Sequence, residues 1–112
     1  MAFKTKLTFA VPERLQTELR ERIVKDGYSL KEKSRWISEA IELLLELENF
    51  AEFVRFSDEM SNFKKSETVI ISVSLKNKLD QSIMKLRQLY PLMEGVQSRI
   101  IRTAIVQKIL RS

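Results

Sequence analysis

The sequence predicts a mostly α-helical fold with a two-stranded antiparallel β-ribbon, and three observations predict it. The 112 residues, 44% of them hydrophobic, suit one domain with a single modest core. Two short stretches alternate apolar and polar residues with period two, as half-buried strands do. Each is followed by two segments whose apolar residues recur at helical spacing.

The first strand is Lys6-Leu7-Thr8-Phe9-Ala10-Val11. Its alternation sends Leu7, Phe9 and Val11 to one face and Lys6, Thr8 and Ala10 to the other. A helix follows near Pro12, whose fixed φ and missing N–H suit a first helical turn. Leu15, Leu19 and Ile23 recur every four residues along it, and Gly27 punctuates its end. A second helix starts around Ser34 and carries Trp36, Ile37, Ala40, Ile41, Leu44 and Leu45. The pattern then recurs: a strand Ile70-Ile71-Ser72-Val73-Ser74-Leu75, a helix with Leu79, Ile83 and Leu86, a stop at Pro91, and a helix from Ser98.

The recurrence has one register. Shifting the chain by 64 positions lays Ser34-Arg35-Trp36-Ile37-Ser38-Glu39-Ala40-Ile41 over Ser98-Arg99-Ile100-Ile101-Arg102-Thr103-Ala104-Ile105 and retains Ser, Arg, Ile, Ala and Ile. The same ungapped shift lays Leu7, Phe9 and Val11 over Ile71, Val73 and Leu75. One strand with two short helices cannot cover its own apolar faces. The expected layout is therefore β-α-α-linker-β-α-α: repeats at 1–48 and 68–112, a connector at 49–67, and the strands paired so that the two repeats form a pseudo-dimer. Pairing within one chain and exchange between two chains both satisfy it.

These residues resemble the ribbon-helix-helix family of DNA-binding proteins, the MetJ/Arc superfamily, in a tandem single-chain form. The likeness covers positions 4–48 and 68–112 and rests on the strands, Gly27 and the segment that begins at Ser34. It implies sequence-specific binding of double-stranded DNA by a ribbon in the major groove, with outward side chains reading base edges. By position those readers are Lys6, Thr8 and Ala10 on the first strand and Ile70, Ser72 and Ser74 on the second. It also implies phosphate contacts at the starts of the second helices, from Ser34, Arg35, Ser98 and Arg99. Lys4, Lys64 and Lys65 flank the strands and join the expected phosphate set. Ala10 and Ile70 depart from the usual polar readers, and a thymine methyl is the base feature they suit. Because the two strands differ, an asymmetric subsite is expected.

Composition narrows the function classes. Without cysteine or histidine, the chain lacks disulfides, zinc motifs and Cys-His or Ser-His nucleophile pairs, so no enzyme, metal site or cofactor is expected. No apolar run approaches the ~18 residues of a membrane span, and the cytoplasm is the expected compartment. The net charge of +5 favours a polyanionic partner. Residues 68–112 hold 8 Lys and Arg against 2 Asp and Glu, whereas residues 1–48 hold 9 of each, so the second part supplies the excess.

A transcriptional repressor or regulator is the leading expectation. An accessory protein of plasmid transfer or partition is the alternative within DNA binding. An antitoxin-like interaction module is the alternative outside it, with a protein partner on the connector (49–63), where Phe50, Phe53, Val54, Phe56, Met60 and Phe63 lie among acidic residues. Packing of Phe50, Phe53 or Val54 on the core is the simpler reading of that segment. Self-association on adjacent subsites is left open. Trp36 reads as core, Glu39 as an ion-pair residue, and Ser34 and Ser98 as helix caps or phosphate ligands.

Overall fold

The computed structural model describes residues 3–56 and 65–111. Along the chain come β1 (Lys4–Val11), α1 (Glu13–Lys25), a short 3-10 turn (Leu30–Glu32), α2 (Lys33–Leu45), α3 (Phe50–Phe56), β2 (Lys65–Ser72), α4 (Val73–Leu89) and α5 (Val96–Arg111). β1 and β2 pair antiparallel as a two-stranded sheet, with Lys6 opposite Ile70, Thr8 opposite Thr68 and Ala10 opposite Ser66.

This order corrects the expected β-α-α-linker-β-α-α layout. Among the described residues there are five α-helices, three between the strands and two after β2, so the chain is not one unit repeated twice. No single shift relates its two parts, because α4 is 17 residues long and α1 only 13. The extra turn sits at the start of α4. Ser72 ends β2 and caps α4, its hydroxyl accepting from the Leu75 N–H at 3.1 Å. Val73, Ser74 and Leu75, expected in a strand, are thus the first turn of a helix. The strand itself begins at Lys65, inside the stretch the sequence assigns to the connector.

Local chemistry accounts for the remaining boundaries. Pro12 supplies the extended residue before α1. Gly27 stops α1 in the left-handed region (φ +88°), and the Tyr28 N–H reaches back to the Ile23 carbonyl at 3.0 Å, closing the helix end. Pro91 disfavours helical backbone at Tyr90, where α4 has ended.

The core lies behind the ribbon. Leu7, Phe9, Val11, Val69 and Ile71 project from its inner face. α2 packs on β2 and α5 on β1, and the two helices pack against each other through buried Trp36, Ile37, Ile41, Ile100, Ile101 and Ile105. α1 adds Leu15, Leu19 and Ile23, and α4 adds Leu75, Leu79, Ile83 and Leu86. Among the described residues, no helix is long and apolar enough to cross a membrane.

Candidate nucleic-acid interface

The outer face of the ribbon carries Lys4, Lys6, Thr8 and Ala10 from β1 and Ser66, Thr68, Ile70 and Ser72 from β2. Thr68 and Ala10 are half-buried and the other six exposed. Two lysines and four hydroxyls lie here without a carboxylate. The acid of β2, Glu67, points the other way and is buried.

Glu67 is the largest departure from an apolar inner face. Its carboxylate accepts from Lys33 Nζ (2.5 Å), Gln16 Nε2 (2.7 Å) and an Arg20 guanidinium nitrogen (3.1 Å). Burial pushes this carboxyl up, but the hydrogen bonds from Lys33, Gln16 and Arg20 outweigh it and hold it below the ordinary carboxylate range. The cluster ties β2 to α1 and to the first residue of α2.

Both outer edges of the ribbon are tied as well. The Ile70 N–H, which faces away from β1, donates to Ser34 Oγ at 2.9 Å. On the other side the Arg102 guanidinium donates to the Ala10 carbonyl at 2.9 Å. Burial, then the neighbouring charge of Arg99, lower the Arg102 pKa. A helix side chain thus bonds to each outer edge of the two-stranded sheet, one way in which sheet edges are covered.

Of the expected base readers, Lys6, Thr8, Ala10 and Ile70 lie on this outer face. Ser72 stands at its end with its hydroxyl used as a helix cap, and Ser74 lies in α4, off the ribbon. Ser66 and Thr68 lie on the outer face as well, opposite Ala10 and Thr8, and were not among the expected readers. The signal that could have found them is the Leu75, Leu79, Ile83 spacing, which begins the helix one turn earlier and moves the strand back.

The expected phosphate residues divide. Lys4 and Lys65 are exposed on the ribbon, and Lys64 lies outside the described residues. Ser34 holds the strand edge. Arg35 bonds to Glu32 (3.2 Å) and Glu39 (3.3 Å) and lies over the Tyr28 ring, yet its side chain is largely exposed. Glu39 also accepts from the Tyr28 hydroxyl and Lys108, an ion-pair role. Ser98 sits half-buried in the first turn of α5. Arg99 donates to the carbonyls of Val54 and Arg55, both at 2.9 Å, and so clamps the end of α3.

In the connector, Phe50 and Val54 are buried, Phe53 is partly buried and Phe56 exposed, with Arg55 lying over the Phe56 and Tyr90 rings. Met60 and Phe63 lie outside the described residues. No three acidic side chains gather as a metal-ligating cluster among the described residues. Comparison with known proteins finds no matching family model, no matching curated protein and no matching solved structure.

Proposed function

We propose that this protein binds double-stranded DNA in a sequence-specific manner, laying the outer face of the β1–β2 ribbon in the major groove, and that it regulates transcription by occupying its site. The observation that carries the reading is that face: two strands wide, bordered by helices, furnished with Lys6, Thr8, Ser66 and Thr68 and free of carboxylates. Strands lie ~4.8 Å apart, so a ribbon of two enters a groove about 12 Å wide where a broader sheet does not. Lysine suits the acceptors of guanine, and hydroxyls donate or accept at any base edge.

The net charge of +5 supports a polyanionic partner. The resemblance to ribbon-helix-helix proteins supports the same mode of reading through the ribbon and the start of α2, without requiring two repeated units. A cytoplasmic place of action belongs to the proposal. Burial of Phe50 and Val54 favours DNA over a protein partner gripped by those connector residues.

Selection from a random duplex pool at about 150 mM salt, where non-specific binding weakens, tests the proposal. A short enriched motif is expected. Its position at the protein's own promoter would mark a repressor, and its position at a transfer origin an accessory factor. Recovery of the pool without enrichment would overturn sequence-specific recognition.

A further inference from the structure

Ile70 stands out on the outer face. It is the one large apolar residue there, 48% exposed, with Lys6 directly opposite on β1. A lone exposed isoleucine is ordinary on a protein surface. Here it lies among Lys4, Lys6, Thr8, Ser66 and Thr68, whose side chains offer hydrogen bonds, and its backbone is fixed by the Ser34 Oγ bond to its N–H. A β-branched side chain has restricted χ1, so the methyl groups are held in few directions.

We propose that Ile70 selects thymine, by contact with its C5-methyl group, within about two base pairs of the base that Lys6 contacts. The inference rests on the DNA-binding reading and deepens it. The thymine methyl is the one apolar feature among major-groove base edges, so an apolar side chain aimed there discriminates by methyl contact. Directly opposite residues of an antiparallel pair have Cα atoms roughly 4.5–5.5 Å apart, and base pairs stack about every 3.4 Å, which sets the span of two steps. Lysine favours the O6 and N7 acceptors of guanine. The far end of the face, where Ala10 opposes Ser66, offers only short side chains. The recognition element thus has a direction, with its guanine and thymine at the Lys6–Ile70 end.

The test replaces each thymine of the selected duplex, one at a time, with deoxyuridine, which pairs identically and lacks the methyl. Wild-type protein should lose roughly fourfold in affinity at one position, the worth of one buried methyl-sized group. Ile70→Ser should lose sensitivity at that position alone, while its unfolding midpoint stays near that of the wild type because the side chain leaves the core untouched. A uridine scan of the wild type that is flat at every position overturns the proposal without needing the variant. So does an Ile70→Ser protein that keeps the same sensitive position. A pool that yields no motif in the first place overturns DNA reading itself, and the methyl contact with it.

Discussion

Glu67 does what an inward residue of a ribbon rarely does: it takes a carboxylate behind a sheet and surrounds it with Lys33, Gln16 and Arg20. Its parity with Val69 and Ile71 marks it as inward once the strand is known, but a charged residue beside a mixed connector reads as surface. Only the partners, supplied by α1 and α2, make its burial affordable. The carboxyl titrates below its ordinary value near 4.5 in the folded state, so the unfolded chain takes up the proton first as the pH falls. Its contribution is fully present above that ordinary value and is lost as the pH drops through the folded one. Glu67→Gln keeps the shape, removes the charge and leaves Lys33 under-bonded, which should cost about 1–3 kcal/mol at neutral pH. Urea unfolding of both proteins between pH 3 and 7 should show that difference constant above about pH 5.5 and shrinking below 4.5. A gap that ignores pH would remove the charge from the account.

Among the elements, α1 and α2 were the more legible. Leu15, Leu19 and Ile23 keep one face of α1 apolar, Pro12 and Gly27 bound it, and the cluster from Trp36 to Leu44 marks α2. β2 was less so, because Ile70-Ile71-Ser72-Val73-Ser74-Leu75 alternates without saying where alternation stops meaning a strand. The Ser72 hydroxyl settles it by capping the Leu75 N–H, and the ungapped shift fails at that point because α4 gains a turn that α1 lacks. Ser72→Ala should therefore destabilise the protein by about 1 kcal/mol, as loss of a helix cap does. Thermal unfolding checks it, and a variant as stable as the wild type would mean the cap is not what ends the strand. α3 and its clamp were illegible for another reason. The Arg99 contacts with Val54 and Arg55 span more than forty positions and follow no local pattern.

At the scale of the whole molecule, α2 and α5 support the ribbon from behind and bond to both its edges, which leaves one carboxylate-free face two strands wide. The candidate readers were only partly legible, since locating them required the true end of β2. The claim that this face reads DNA is tested most directly by the triple variant Lys6→Ala, Thr8→Ala and Thr68→Ala, compared with the wild type on the selected duplex and on a scrambled one. These side chains lie outside the buried core, so circular dichroism and the unfolding midpoint should match. Each lost base contact costs about 1–3 kcal/mol, so the ratio of specific to non-specific affinity should fall by at least about a hundredfold, while binding to the scrambled duplex changes little. A folded variant that retains the wild-type ratio would contradict the account.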